Sequence, residues 1–211
     1  MNRTLAASSL LALFVVTAGC TGVLSGPITV SASEASVDDA ALGDTGYEHN
    51  RTEAMNVSRT VSVAGQSRNV TATNWIAEYH ASVGIEGVAE QPVAAFVVFS
   101  SPKVEVLGQS FNPLDEFSDR HLAETFVSRM DRVENVRQVD SRNRTMLGQS
   151  AEVSEFEASV TTAIGIQFDA TLHVTRVEHE GDFVVALAVH PQQIDGESDV
   201  NRLLDGVEHG E

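Results

Sequence analysis

Two uninterrupted apolar runs constrain the fold of this chain more than any other feature of its sequence. Residues 93–99 and 183–189 contain only apolar side chains. Successive side chains of a β-strand point to opposite faces of a sheet, so an unbroken apolar run predicts a strand that is buried on both faces. We therefore predict a β-rich domain that encloses these two strands.

The segments around these runs alternate between apolar and polar residues, which is the pattern of strands with one buried face. Ile166 to Val174 alternate strictly, and hairpin turns are predicted at Gly65-Gln66 and Gly148-Gln149. A helix is predicted from Ser118 to about Val133, and a C-terminal helix is predicted to begin at Ser198. The predicted fold class is α+β, with a mainly antiparallel sheet of hairpins, a mid-chain helix and a C-terminal helix.

Local patterns add further detail to this prediction. Ser36 has the character of an N-cap, and a short helix is predicted to follow it and to end at Gly43. The apolar phase of the first hairpin's return arm changes near Asn74, which predicts a β-bulge there. The mid-chain helix carries an apolar face that we expect to cover the apolar side of the Ile166 to Val174 strand; that face consists of Leu122, Phe126 and Met130.

The first twenty residues have the features of a lipoprotein signal peptide. Residues 5–18 are apolar apart from two serines and a threonine, and Arg3 precedes them. As a helix this run would span ~21 Å, which is short of the ~30 Å hydrocarbon core, so a signal peptide is favoured over a spanning anchor. The run ends in Thr17-Ala18-Gly19-Cys20, where small residues precede the only cysteine of the chain. This pattern predicts cleavage and lipid attachment at Cys20; the alternative is a cleaved secretory peptide with an incidental cysteine.

These features divide the chain into three predicted segments. Residues 1–19 are the signal peptide, residues 20–26 are the lipidated cysteine and a short tether, and residues 27–211 form a single α+β domain. Two hydrocarbon chains on Cys20 would suffice for stable anchoring to a membrane. The expected location is the extracellular face of the cell membrane, and the lipid would occupy the only thiol.

The charge balance restricts both partner and habitat. Asp and Glu number 30 against 13 Lys and Arg, which gives a formal net charge of −17, and Lys103 is the only lysine. Binding to nucleic acid needs clustered basic residues, so we expect no nucleic acid partner. An acidic, lysine-poor surface favours adaptation to molar salt, because screening over ~3 Å makes the self-repulsion small.

Several short motifs resemble those of haloarchaeal membrane lipoproteins. They are Thr17-Ala18-Gly19-Cys20, Thr45-Gly46-Tyr47, Val104-Glu105-Val106-Leu107-Gly108 with Phe111-Asn112-Pro113, and Gly181-Asp182-Phe183-Val184-Val185 with Pro191-Gln192-Gln193. That family is a domain of unknown function without assigned catalytic residues, so the resemblance implies a habitat and a membrane address but no activity. At the level of fold, a meander closed by a C-terminal helix is similar to the Mog1/PsbP-like α+β sandwich of other small lipoproteins.

Two acidic clusters are candidates for metal binding or acid–base chemistry. Glu178-His179-Glu180-Gly181-Asp182 could hold a cation, but it falls in a predicted turn and lacks the ligand spacing of a calcium loop, so we expect no metal there. Glu152, Glu155 and Glu157 could include an acid–base pair. We favour the alternative, in which these three form a hydrated acidic surface.

The polar side of the strictly alternating strand is the candidate binding surface. It carries Gln167, Asp169, Thr171, His173 and Thr175, all of which can hydrogen-bond. If the C-terminal helix leaves this side open, the strip suits a protein or a polar small molecule, with Asp169 and His173 as contacts. We expect His173 to be solvated or paired with a residue of a neighbouring strand, and both side chains to be dispensable for the core.

Four sequons are candidate sites of N-glycosylation in an exported chain. They begin at Asn50, Asn56, Asn69 and Asn143. Whether any of them is occupied depends on its exposure.

Three functional hypotheses remain. The chain lacks a Gly-x-Ser-x-Gly elbow, a glycine-rich phosphate loop and a His-Glu-x-x-His sequence, so we predict no catalytic residue and no cofactor. The leading hypothesis is a non-enzymatic binding or accessory module on the membrane. The alternatives are a cell-surface hydrolase that uses carboxylates or a bound cation, and a structural component of the envelope.

Overall fold

A computed structural model of the chain describes residues 27–63, 66–83, 91–106, 109–110, 112, 114, 117–127, 132–161 and 167–210. The strands are β1 (Ile28–Ser31), β2 (Ala35–Val37), β3 (Glu48–Val63), β4 (Gln66–Val83), β5 (Gln91–Pro102), β6 (Glu105–Val106), β7 (Gln109–Ser110), β8 (Arg132–Met146), β9 (Gln149–Thr161), β10 (Gln167–His179), β11 (Asp182–Pro191) and β12 (Val207–His209). The helices are α1 (Asp39–Thr45), α2 (Asp119–Val127) and α3 (Glu197–Asp205). No helix in these ranges has the length and apolar character needed to cross a bilayer. The predicted signal peptide, Cys20 and the tether precede the described residues.

Eight of the strands form one open, mixed sheet. Its order is β1-β4-β5-β11-β10-β9-β8, and β3 pairs with the other edge of β4. The pairings are antiparallel except that β1 runs parallel to β4. Separately, β2 and β12 form a two-stranded antiparallel ribbon. The prediction of an α+β fold with a mainly antiparallel sheet is confirmed, and the parallel pairing of β1 with β4 is the departure from it.

The two central strands supply side chains to a core on each face of the sheet. Phe96 and Val184 point into one core, which is closed by α1, α3 and the β2/β12 ribbon. Their neighbours Ala95 and Val185 point into the other core, which α2 closes. The prediction of two strands buried on both faces is therefore confirmed.

Both predicted hairpins are confirmed, but Gln66 and Gln149 are the first residues of β4 and β9 rather than turn residues. The strands are longer than the patterns indicated. In the first hairpin, β3 and β4 pair from Glu48 with His80 to Val63 with Gln66, and residues 64–65 lie outside the described residues. In the second, β8 and β9 are joined through Leu147 and Gly148, which both have positive φ. This is the conformation of the two-residue turns that match the twist of a hairpin.

Helix α2 covers the strictly alternating strand, as the pattern predicted. Leu122 shares a core with Leu172 and Val174, and Phe126 packs against it. Ser118 is the N-cap, since its Oγ accepts a hydrogen bond from the backbone N–H of His121 at 3.2 Å. The predicted extension to Val133 is wrong: the helix ends at Val127, and strand pairing with β9 takes over by Arg132. Met130 lies outside the described residues.

Helix α1 begins and ends later than predicted. Ser36 lies in β2, where it pairs with Glu208, and the N-cap is Asp38, whose carboxylate accepts from the backbone N–H of Ala41 at 2.7 Å. The helix passes through Gly43 and ends at Thr45, and Gly46, with φ 71°, is its C-cap. Pairing with the distant strand β12 thus overrides the local signal at Ser36.

Helix α3, in contrast, begins earlier than predicted. It starts at Glu197 after Gly196, so Ser198 is inside the helix rather than at its cap. Val207 belongs to β12 instead of the helix.

No β-bulge occurs between β3 and β4 at Asn74. Met55 pairs with Asn74 in continuous register, so that prediction is wrong. The phase of β4 changes there because the strand changes neighbours: it pairs with β1 up to Thr73 and with β5 from Trp75 onward. Asn74 is buried between the two, and its amide donates to the backbone carbonyl of Met55 at 3.2 Å.

Candidate functional site

The turn between β10 and β11 projects a compact set of polar residues. Glu180 and Gly181 form the turn with φ of 50° and 89°, and the register places His179 opposite Asp182. The carbonyl of Gly181 accepts a hydrogen bond from the backbone N–H of Lys103 at 2.9 Å. The turn is thereby tied to the end of the neighbouring strand β5.

The C-terminal strand β12 brings a second histidine to this turn. Nδ1 of His209 lies 3.0 Å from Nδ1 of His179, and Nε2 of His209 lies 3.1 Å from Oδ2 of Asp182. The same carboxylate oxygen accepts from the backbone N–H of Ser33 at 2.7 Å. The side chain of His209 has 0% exposure, and Asp182 is buried. We refer to His179, Glu180, Asp182 and His209 as the turn cluster.

The hydrogen-bond network assigns the hydrogens of the turn cluster. An ionised carboxylate only accepts, so Nε2 of His209 carries a hydrogen and donates it to Asp182. In a neutral ring, Nδ1 of His209 is then an acceptor whose lone pair faces His179. Nδ1 of His179 supplies the hydrogen between the two rings. A buried imidazole nitrogen with a lone pair is therefore held at a fixed place by Asp182.

Glu180 completes a set of three possible ligands for a cation. One ligand atom from each of His179, Glu180 and His209 lies within 4.8 Å of the other two. Gly210 leaves room for the Glu180 carboxylate, since a Cβ on that glycine would lie 2.5 Å from Oε2 of Glu180. Two imidazole nitrogens and a carboxylate oxygen form a donor set that suits divalent transition metals.

A second cluster of polar residues lies inside the domain, between the sheet and α3. Nη1 of Arg142 lies 3.3 Å from Nδ1 of His173, and Nε2 of His173 lies 3.0 Å from Nε2 of His190. Arg142 also reaches Oε2 of Glu155 at 3.4 Å and Oδ1 of Asn201 at 3.2 Å. We refer to Arg142, Glu155, His173 and His190 as the buried cluster.

The hydrogen bonds of the buried cluster all run in one direction. Arg142 only donates, so Nδ1 of His173 accepts and its Nε2 carries the hydrogen given to His190. Nδ1 of His190 then donates to the backbone carbonyl of Pro191 at 3.1 Å. This series of hydrogen bonds satisfies both imidazoles in their neutral forms. Protonation of His173 would break the series, because Nδ1 could then no longer accept from Arg142.

Burial fixes the charge states in this cluster. Desolvation, with smaller contributions from Arg142 and His190, lowers the pKa of His173 to about 3. Desolvation raises the pKa of Glu155, and the charge of Arg142 opposes that rise. The space around His173 is lined by Val200 and Leu204 of α3 and is too small to admit a water molecule. The part of the buried cluster around His173 is therefore packed without room for a ligand, whereas Arg142 and Glu155 are partly exposed.

The ring of His190 packs directly against Gly196 and leaves no room for a side chain there, which gives a first prediction. A Cβ on Gly196 would lie 2.7 Å from the ring of His190, so Gly196→Ala must displace that ring. We expect a loss of about 1–3 kcal/mol of stability, because overpacking of a filled core has that cost. Gly43→Ala is the matched control: nothing lies within 4 Å of its added methyl group, and a helix favours alanine by ~0.5–1 kcal/mol. Urea unfolding of both variants measures the difference; equal stabilities would contradict the packing argument.

The candidate binding strip on β10 is only partly at the surface. Asp169 is exposed and accepts from Oγ of Ser159 at 3.2 Å. His173 has 2% exposure and Thr175 has 1%, because α3 covers this part of the strand. His173 is therefore not solvated, and the alternative of a cross-strand partner is confirmed, since its ring contacts His190 of β11. Its burial also means that the side chain is part of the core, contrary to expectation. Asp169 remains available at the surface, whereas His173 does not.

The acidic residues of β9 lie beside arginines of β8. Glu155 pairs with Arg142, Glu157 forms a short ion pair with Arg137, and Glu152 is exposed. The arrangement therefore gives Glu155 and Glu157 separate basic partners rather than joining them to each other.

All four sequon asparagines are exposed, and all lie in strands. Asn50 and Asn56 are in β3, Asn69 is in β4, and Asn143 is in β8. Asn56 and Asn69 are engaged across the first hairpin, where their Oδ1 atoms accept from Thr73 and Thr60 at 2.7 and 2.8 Å. The side chains are accessible, and their occupancy stays a prediction.

Sequence reasoning missed three residues of the two clusters: Arg142, His190 and His209. His190 directly follows the apolar run 183–189 and is part of the same strand, β11. A polar side chain at the end of a strand buried on both faces was the available signal that it is buried with a partner. His209 is close in space to His179 but 30 residues away in sequence. Only the pairing of β12 with β2 brings it there, and no local pattern encodes that pairing.

The fold places the protein in the α+β class. A large mixed sheet carries helices on both faces, and a histidine–carboxylate cluster lies at one hairpin turn. Residues 34–208 match the family described as a domain of unknown function, DUF6517. The chain belongs to this family, so the expectation of a family of unknown function is confirmed. A search of curated proteins gives no significant match.

Proposed function

We propose that the chain is a lipoprotein of a halophilic archaeon, anchored through Cys20 to the outer face of the cell membrane, and that its domain is a non-enzymatic binding or accessory module. The observation that carries the proposal is the position of the only cysteine, directly after small residues at the end of an apolar run. The acidic, lysine-poor composition supports the habitat. A Mog1/PsbP-like sandwich remains part of the proposal at the level of fold.

The distance between anchor and domain supports a location close to the bilayer. Strand β1 begins at Ile28, eight residues after Cys20. A fully extended segment of this length reaches at most ~28 Å. The domain would then work against the membrane surface or against another protein held there.

Replacement of Cys20 tests the anchor. We expect Cys20→Ser to move the domain from the membrane fraction to the soluble fraction, since two hydrocarbon chains give stable anchoring that serine cannot carry. Ser25→Ala, in the same tether, is the matched control and should stay with the membrane. Quantitative fractionation of cells expressing the full chain measures the change.

A second measurement covers the case in which an uncleaved signal peptide retains the serine variant. In the wild-type chain, mass spectrometry should find a lipid adduct on the peptide that begins at Cys20. Because the chain has one thiol, reaction of purified wild-type protein with a maleimide would contradict lipidation.

The alternative of a surface hydrolase that uses a bound cation draws on the turn cluster, whose three ligand atoms lie within 4.8 Å. It would replace the non-enzymatic part of the proposal if wild-type protein hydrolysed a substrate in a panel of esters, phosphoesters and glycosides. That activity would also have to be lost in His179→Gln.

A further inference from the structure

We propose that the turn cluster is a binding site for a divalent transition-metal ion, with Zn²⁺ as the expected occupant and His179, Glu180 and His209 as its protein ligands. The inference goes beyond the proposed function and does not depend on the membrane anchor. It rests on the distances between the ligand atoms, on the way the protein orients His209, and on the chemistry of the donor set.

The two imidazoles already have the spacing that a shared metal ion requires. With Zn–N bonds of ~2.0–2.1 Å, two ligands of a tetrahedral ion lie ~3.3–3.4 Å apart. The Nδ1 atoms of His179 and His209 are 3.0 Å apart, so a separation of a few tenths of an ångström would accommodate the ion. The ion would take the place of the hydrogen between the rings, and His179 would carry its hydrogen on Nε2 instead.

The carboxylate of Glu180 can complete the site with a small movement. In its present position, one carboxylate oxygen of Glu180 and one ring nitrogen from each of His179 and His209 all lie within 4.8 Å of one another. Glu180 is exposed and lies at the tip of a turn, and Gly210 offers no side chain to obstruct its carboxylate. Three protein ligands leave a fourth position for water or for a ligand from outside.

Asp182 supplies an independent argument for metal binding. Histidines that bind metals commonly donate their other ring N–H to a carboxylate, which fixes the tautomer and the ring direction. His209 has this arrangement: its Nε2 hydrogen goes to Asp182 at 3.1 Å, and Asp182 is itself held by the backbone N–H of Ser33 at 2.7 Å. Both side chains are buried, so the Nδ1 lone pair of His209 is held in a fixed direction, toward His179.

The donor set selects the class of metal. Ca²⁺ and Mg²⁺ prefer sites made of oxygen ligands, whereas imidazole nitrogens suit Zn²⁺ and its first-row neighbours. Two nitrogens and one carboxylate oxygen are the ligands of several open zinc sites. The turn cluster therefore fits Zn²⁺ better than it fits the alkaline-earth ions.

Titration of the full chain with Zn²⁺ is the direct test. The protein is purified in mild detergent without a polyhistidine tag, and bound metal is removed with a chelator. Equilibrium dialysis with elemental analysis should then give one Zn²⁺ per chain in a saturable curve. Co²⁺ should give the visible ligand-field bands of a four-coordinate site and should be displaced by Zn²⁺.

Conservative variants connect this binding to the turn cluster. His179→Gln and Glu180→Gln each remove one ligand at a residue that is not fully buried, and each should weaken Zn²⁺ binding at least ~10-fold. Asp182→Asn removes the positioning carboxylate and should weaken it ~10–100-fold. His121→Gln is the control, because this exposed histidine lies on α2, on the other side of the sheet. Circular dichroism verifies that each variant is folded.

Two results would overturn the proposal. One is the absence of saturable Zn²⁺ binding to folded wild-type protein. The other is binding of unchanged affinity in folded His179→Gln and Glu180→Gln, which would place the metal elsewhere. Neither result bears on the membrane anchor, which the Cys20→Ser fractionation tests separately.

Discussion

The free energy of unfolding is expected to fall steeply as the pH is lowered below 6.5, because His173 is buried as a neutral imidazole. In the unfolded chain His173 takes up a proton near pH 6.5, whereas in the folded chain it does so only near pH 3. Between these values the unfolded state binds more protons, so stability is complete above pH 6.5 and is lost as the pH falls through this interval. The slope from this one group reaches about 1.4 kcal/mol per pH unit, and the whole interval amounts to roughly 4–5 kcal/mol.

The neighbours of His173 determine how much of this effect is observed. Arg142 at 3.3 Å and His190 at 3.0 Å both disfavour a proton on His173. Glu155, with Oε2 at 3.9 Å from Nδ1, has a raised pKa, so the folded state takes up its proton before the unfolded state does. Protonation of Glu155 therefore offsets part of the loss as the pH falls. The interval from pH 6.5 to 5 lies above the ordinary carboxylate range, and comparison with a His173 variant separates the effect of His173 from that of Glu155, whose pKa is raised.

His173→Gln is the variant that tests this prediction. The glutamine amide can still accept from Arg142 and donate to His190, but it cannot be protonated. We expect this variant to be about 1–3 kcal/mol less stable at pH 7, since the buried hydrogen bonds are imperfectly replaced, and to have a flatter profile between pH 6.5 and 5. Urea unfolding at constant ionic strength measures both, with the exposed His121→Gln as the control. Parallel profiles for wild type and His173→Gln would contradict the prediction, because they would mean that the pKa of His173 is the same in the folded and unfolded states.

The burial of His173 shows what an alternating pattern can and cannot predict. Alternation assigned Leu172 and Val174 to a buried face correctly, because side chains of a strand alternate by geometry. The same pattern says only that the intervening residues are polar. Whether they face water depends on the element packed above them, and α3 covers His173 while leaving Asp169 exposed.

Helix boundaries and strand partners show a similar division between local and distant causes. The cap at Ser118 was predictable because a serine side chain bonds to a backbone three residues away. The short strand at Ser36 was not, since it forms by pairing with Glu208, far away in the sequence. The candidate metal site depends on that same pairing. The sequence showed His179 and Glu180 in one acidic cluster but gave no sign of His209, and we therefore expected no metal from the sequence.

Salt should stabilise the domain strongly, and this is the second large effect that we expect. A net charge of −17 on one chain is repulsive in dilute buffer, where screening extends over ~30 Å, and much less so in molar salt, where it extends over ~3 Å. We expect the thermal midpoint to rise by at least about 10 °C from dilute buffer to molar KCl, which corresponds to roughly 3–5 kcal/mol for a domain of this size.

Salt also weakens attractive ion pairs, but this opposing effect is smaller. Surface pairs such as Arg202 with Asp44, at 3.5 Å and more than half exposed, contribute only ~0.2–1 kcal/mol each. Acidic residues outnumber basic ones by 30 to 13, so most carboxylates cannot have a basic partner of their own. The repulsive part of the charge distribution therefore dominates the response to salt.

Neutralisation of exposed carboxylates separates charge repulsion from other effects of salt. A fourfold variant with glutamine at Glu48, Glu134, Glu152 and Glu208, which are all exposed, reduces the formal charge from −17 to −13. If repulsion is the cause, this variant melts at a higher temperature than wild type in dilute buffer and gains less from added KCl. Thermal unfolding followed by circular dichroism over a KCl series measures both quantities. A midpoint that stays flat or falls with KCl in wild type would contradict the prediction; an equal gain in both proteins would attribute the stabilisation to the salting-out of apolar surface instead of to charge.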